Sequence, residues 1–260
     1  MSRLADVTAV GRLLPHGWRD FLFQLSLWLG FGLVYQVARG IADRSTLEAI
    51  QNGITVIDAE RAVNALIELD IQRAVIHAGD WALEAVNLTY WLSQFPVLGI
   101  SLLWIYLFRN EAFITVRNWI FATNLLALVG YVLMPTAPPR MFPEQGFVDT
   151  LAQSSAVNHG SGLIELASNP YAAMPSVHSA DALIIGFAMA TLVKSRWAAA
   201  LWTLWPTWVW FSVMATGNHY WLDVAAGVGV ALVGGTIVAW AHEGRVSPAP
   251  VLYRCGYRRW

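Results

Sequence analysis

Apolar residues run together in six long stretches, 21–38, 85–108, 118–134, 177–193, 197–215 and 221–241. A helix needs roughly 17–25 such residues to cross the hydrocarbon of a bilayer, so the pattern predicts six transmembrane helices. The fourth reaches that length only if it starts near Val177. Polar side chains inside the stretches are few: Gln24, Asn87, Gln94, Asn124 and the acids Asp181 and Asp223, each acid in the first turn of its span. Between the first two spans, Val63, Leu66, Ile67, Ile71 and Val75 recur at near-helical spacing among charged residues. Residues 57–75 therefore read as one amphipathic helix on the interface or over the bundle, whose role is packing or, alternatively, gripping a headgroup through Glu60 or Asn64. After span three, PTAPPRMFP forbids continued helix. The TLWPTWVW string of span five reads as lipid-facing aromatic packing around a kink at Pro206. In span six Gly227, Ala231 and Gly235 stand four apart, which lets a neighbouring helix come close.

Of the 260 residues 57% are hydrophobic and only 13% charged. About twice that charged fraction is usual in a soluble domain, so lipid is the expected solvent. A net charge of −1 with no basic stripe argues against a nucleic-acid partner. The one cysteine, Cys255, excludes an internal disulfide and reads as incidental. The first 20 residues hold Arg3, Arg12 and Arg19 but no long apolar core, so no cleavable signal peptide is expected. Arg109, Arg117, Lys194, Arg196 and four arginines after span six fall on the same side as those three. By contrast 39–84 carries eight acids against four arginines, and 135–176 has Arg140 alone against three acids. Positive charge stays inside. The expected fold is thus an all-α integral membrane protein of one membrane domain, multi-pass in the plasma membrane, with 39–84 outside. Both termini, including the tail 242–260, would be cytoplasmic.

That orientation gathers the chemistry on the outer face. Arg140 follows span three, His178 opens span four in MPSVHSADAL, and His219 and Asp223 open span six in ATGNHYWLDV. On a helix, residues four apart share a face, so Asp223 can fix the tautomer of His219 and leave its other nitrogen free to attack. An acid within a span is a functional candidate by default. Ser176, Val177 and His178 form a first helical turn whose unpaired N–H groups can hold an anion, and Arg140 can add a bidentate contact to a phosphate oxygen. Together these residues describe phosphoryl transfer. His219 is the nucleophile, Asp223 its partner, His178 the general acid, and Arg140 with Ser176 and Val177 the phosphate cradle. No metal or other cofactor is then required. Asp181 either complements the helix dipole or, three residues past His178, hydrogen-bonds that imidazole and favours its protonated form. His16, His77 and His242 read as caps or interfacial anchors, and His159 as a solvated loop residue.

PSVH at 175–178 followed by HxxxD at 219–223 in a six-span chain resembles the type 2 phosphatidic acid phosphatase superfamily of membrane lipid phosphatases and phosphotransferases. The resemblance covers roughly 118–241. It implies the same assignment of His219, Asp223 and His178. Two departures stand out. Val213 occupies the place of an arginine in the third motif, after Ser212, and Leu133 the place of a lysine in the first. PTAPPR and NHYWLD are closer to the inositol phosphorylceramide synthase branch, which moves a phosphoinositol headgroup between lipids. The expected function is hydrolysis or transfer of a lipid phosphate or phospholipid headgroup, with a possible acceptor lipid as second substrate. Three alternatives are a non-catalytic binder or transporter of anionic lipids using the same pocket, a zinc site drawing on His159, His178, His219 and Asp223, and a serine protease built on Ser176 or Ser179.

Overall fold

The computed structural model describes residues 14–41, 45–153 and 171–243. Cys255, His159 and the tail beyond residue 243 lie outside them. The described residues form helices α1 (Gly17–Ile41), α2 (Thr46–Ala62), α3 (Glu68–Ala78), α4 (Asp80–Leu92), α5 (Leu98–Phe108), α6 (Asn110–Leu133), the short α7 (Thr150–Gln153), α8 (Val177–Leu192), α9 (Arg196–Ala215) and α10 (Trp221–Glu243). α4 and α5 make one rod. Pro96 has no N–H to donate, so the ladder re-registers through the π turn Ser93–Val97 and the apolar run continues to Phe108.

Among the described residues four helical segments are long and apolar enough to cross a membrane: Gly17–Arg39, Asp80–Phe108, Asn110–Leu133 and Trp221–His242. The other two expected spans fall short of that standard for physical reasons. α8 has 16 residues and is buried on nearly all sides, with Ala180, Ile184, Ile185 and Ala188 at 1% exposure or less. It packs against α6, α9 and α10, so protein replaces lipid around it. α9 has 20 residues, but its five tryptophans, two threonines and Pro206 dilute its hydropathy. Trp197 and Leu201 are exposed, as lipid-facing packing requires, while Pro206 is buried and lies against Gly186 of α8.

The single amphipathic helix expected over 57–75 is two helices. Asn64 adopts φ 54, and the N–H groups of Asn64 and Ala65 turn back to the carbonyls of Arg61 and Glu60. That paired reversal is a helix stop, so α2 ends at Ala62 and α3 restarts at Glu68. Both helices lie over the end of the bundle where α10 begins, since Glu60 and Glu68 bond its first amides. The opposite end gathers the turn between α5 and α6, the end of α8 and the start of α1. Arg109 Nε donates to the Leu192 carbonyl at 3.0 Å, and His16 bonds Asn110 at 2.8 Å.

Candidate active site

The prolines after α6 end the helix and release extended backbone, which is fastened on three sides. The Thr136 N–H donates to the Tyr171 carbonyl at 2.7 Å, the Ala173 N–H to the Thr136 carbonyl at 3.3 Å, and the Ala137 N–H to the Ala49 carbonyl at 2.9 Å. Arg140 sits in the single 3₁₀ turn Pro139–Met141, its N–H donating to the Gly217 carbonyl at 2.8 Å. Gly217 has φ +69, and a Cβ there would press on Gln72 Nε2 at 3.0 Å and the Val148 carbonyl at 3.1 Å. Only glycine suits both constraints.

His219 does not stand on a helix, as the HxxxD spacing suggested, but two residues before α10. Its Nδ1 lies 3.0 Å from the Ala173 carbonyl and 3.3 Å from Asp223 Oδ2. A carbonyl oxygen can only accept, so Nδ1 carries the proton and Nε2 holds the lone pair. Asp223 is the third residue of α10, and its Oδ2 also accepts the Tyr220 N–H at 3.0 Å, as an acid at that position commonly does. Asp223 Oδ1 is buried with no hydrogen-bond partner among the described residues. His219 is 4% exposed. Burial pushes its pKa down to about 3; the Ala173 carbonyl opposes this, and Arg140 and Arg39 add to it.

His178, in the first turn of α8, has its ring centroid 5.7 Å from that of His219 and stacks on Tyr90 at 4.3 Å. Its Nδ1 is buried and has no partner among the described residues. Ser176 corrects the expectation of a free amide. Its N–H donates to the Asp223 main-chain carbonyl at 3.0 Å, and its Oγ caps the helix by accepting the Ser179 N–H at 3.2 Å. Val177 does line the cleft, with His178, His219, Arg140 and Asn218. Of the two readings of Asp181, the hydrogen bond to His178 is not made. Its two oxygens accept from Gln94 Nε2 at 3.0 Å and Asn124 Nδ2 at 2.9 Å, because it faces α6 and the Pro96 turn.

The cleft is open at its mouth, and its empty space with the solvent there comes to about 320 Å³. Arg140 is oriented on its wall by Asn218 Oδ1, which accepts from Nη1, and by Asp149 Oδ2 at 3.6 Å from Nε. Two residues that line the cleft were not legible as site residues. Arg39, at the end of α1, lines the cleft although it is more than a hundred residues before His178 in the chain. Asn218 carries no motif signal beyond its place beside His219. Glu60 and Glu68 are fully buried; Glu68 Oε1 accepts the Trp221 N–H, and Glu60 Oε1 accepts the Leu222 N–H at 3.2 Å. Their carboxyl oxygens cap α10, so Glu60 is not a headgroup ligand. Burial and the adjacent Glu68 push Glu60 up to about 9, and burial raises Glu68 as well.

Among the described residues no three His, Cys, Asp or Glu side chains gather as a metal-holding group, and His159 of the zinc reading lies outside them. The geometry instead brings two histidines, one held in a fixed tautomer, and two arginines to one cleft at one end of a helical bundle. A sequence model of the PAP2 superfamily matches residues 54–237, and the chain belongs to that superfamily of lipid phosphatases and phosphotransferases. Among curated proteins, phosphoinositol dihydroceramide synthase of Bacteroides thetaiotaomicron is 28% identical over 124 residues, an alignment covering 43% of this chain and 40% of that protein. No solved structure matches significantly.

Proposed function

We propose that this protein is a membrane-embedded enzyme that moves the phosphate-linked headgroup of a lipid through a covalent phosphohistidine. One observation carries the reading. The Ala173 carbonyl and Asp223 together hold the proton on Nδ1 of His219, which leaves Nε2 as a neutral nucleophile beside His178 and Arg140.

In the first half-reaction the Nε2 lone pair of His219 attacks phosphorus and the bond to the leaving alkoxide breaks. His178 gives that oxygen its proton, while Asp223 stabilises the positive charge growing on the imidazole. Arg140 neutralises the non-bridging oxygens, as metal ions do in kinases. In the second half-reaction His178 takes a proton from water or an acceptor hydroxyl, whose oxygen attacks phosphorus and releases His219. The charge of the phosphoryl group is met by a guanidinium, so turnover is expected to survive dialysis against EDTA.

The site lies at the end of the bundle opposite Arg109, Lys194 and Arg196. The positive-inside rule then puts both termini in the cytoplasm and the cleft outside, with six crossings in which α8 is shielded by its neighbours and α9 turns Trp197 and Leu201 to lipid. The relative named for phosphoinositol dihydroceramide synthesis supports transfer between lipids over simple hydrolysis. The test is incubation of purified protein with phosphatidylinositol, with and without a ceramide acceptor. A new phosphoinositol lipid identifies a transferase, and free inositol phosphate a hydrolase. If neither forms across a panel of phospholipids and lipid phosphates, the cleft is a binding site and the enzymatic reading fails.

A further inference from the structure

We propose that Arg39 is the second phosphate-binding cation of this cleft, delivered by α1 from outside the stretch that matches the family. The proposal deepens the enzymatic reading above and rests on it.

Residues 54–237 match the superfamily, and within them the arginine place of the third motif is held by Val213, which is fully buried and apolar. Arg140 alone would face the phosphoryl oxygens, and part of its charge is met by Asp149 at 3.6 Å. α1 supplies what is missing. It packs on α6 through Phe31, whose ring stacks on Phe121 at 4.0 Å, and through Trp28, stacked on the same ring at 5.7 Å. That contact brings its last turn to the mouth of the cleft. There the Arg39 guanidinium carbon stands 5.7 Å from the centre of the Tyr131 ring, a geometry that fixes a cation in place. Arg39 and Arg140 thus line one cleft from two separate elements, together with both histidines. Guanidiniums on two sides can bind different non-bridging oxygens of one phosphoryl group, a division that a single arginine cannot make. Both arginines also act electrostatically on His219, which puts them within reach of the reacting centre.

α1 is the most weakly embedded of the long apolar segments, with 11% of its window buried against 33–50% for the other three. The second cation is therefore mounted on the least buried of these helices.

The experiment uses the full chain in detergent micelles, with inorganic phosphate as probe and phosphatidylinositol as substrate. Thermal unfolding is followed against phosphate concentration for wild type, Arg39→Gln, Arg39→Lys and Arg140→Gln. Arg39→Gln is expected to raise the phosphate concentration for half-maximal protection at least tenfold and to lower kcat/KM at least as much. Arg39→Lys should fall between, since an ammonium keeps the charge but not the fork. If Arg39→Gln unfolds, Arg39→Lys decides alone. Wild-type phosphate protection in the folded Arg39 variants, with loss in Arg140→Gln, would overturn the proposal and leave the enzymatic reading standing. Phosphate protection that depends on Arg39 in a protein that turns over no phospholipid would keep the anion site and remove the enzymatic reading. No phosphate response in wild type, with turnover unaffected by Arg39→Gln, would also overturn the proposal.

Discussion

The main-chain N–H of Ser176 donates to the main-chain carbonyl of Asp223 at 3.0 Å, so the start of α8 and the first turn of α10 are joined backbone to backbone. The two histidines owe their spacing to this contact. It exists because Gly227, one turn further along α10, has no side chain. A Cβ there would run into the Ser176 carbonyl and meet Ser179 Cβ at 3.0 Å. Gly227→Ala is expected to lower stability by about 1–3 kcal/mol through overpacking. It should also cut kcat more than it raises KM, since Arg140 is not moved. Thermal unfolding and steady-state kinetics on the same preparation check this, and unchanged kinetics would separate the close approach from catalysis.

The roles of the two histidines predict different responses to the leaving group. His178→Ala should lower turnover of a natural phospholipid by about 10²–10⁴-fold, as loss of a general acid does. On a p-nitrophenyl phosphodiester, whose leaving group needs no proton, that defect should shrink. His219→Ala should lose on the order of 10³-fold or more on both substrates, because it removes the nucleophile. Equal behaviour of the two variants on both substrates would contradict the assignment.

Glu60 and Glu68 give the fold a dependence on pH. Glu60 is held near 9 against an ordinary 4.5, so the folded state binds a proton that the unfolded state gives up above 4.5. Its contribution is fully present below 4.5 and is lost as pH rises toward about 9. His219 acts in the other sense, with its contribution present above its ordinary 6.5 and lost as pH falls toward about 3. Between pH 7 and 9 the contribution of His219 is constant and that of Glu60 falls with rising pH. In Glu60→Gln that slope should flatten, as read by thermal unfolding across the window. A slope unchanged from wild type would show that the pair does not titrate there.

Asp181 accepts from Gln94 and Asn124 and makes no bond to His178, so its expected role is structural. Asp181→Ala leaves two buried amides without their acceptor and should cost about 1–3 kcal/mol. The pH profile of kcat/KM should not move. A shifted profile would return Asp181 to the proton chemistry of His178.

The periodicity of apolar residues located the six rods, because burial in lipid or in a bundle needs long uninterrupted apolar helices whichever it is. It could not tell those two environments apart, so the sequence does not show that protein covers most of α8. The HxxxD motif was legible because four residues are a local distance. Its helical interpretation was not, since the Tyr220 amide turns back to Asp223 and leaves His219 ahead of α10. Asn64 was read as part of a continuous amphipathic helix, but its left-handed backbone is a stop that periodicity does not encode.

By itself, then, the sequence determined the membrane class and the residue types at the ends of three helices, on which the proposed chemistry of His178, His219 and Asp223 rests. Only the tertiary structure decided which atoms those residues have left to use. Ser176 spends its amide on Asp223, Asp181 turns to α6, and Arg39 reaches the cleft from α1. The reason is that hydrogen-bond partners and charge neighbours are set by packing between segments far apart in the chain, a relation that spacing along one segment does not carry.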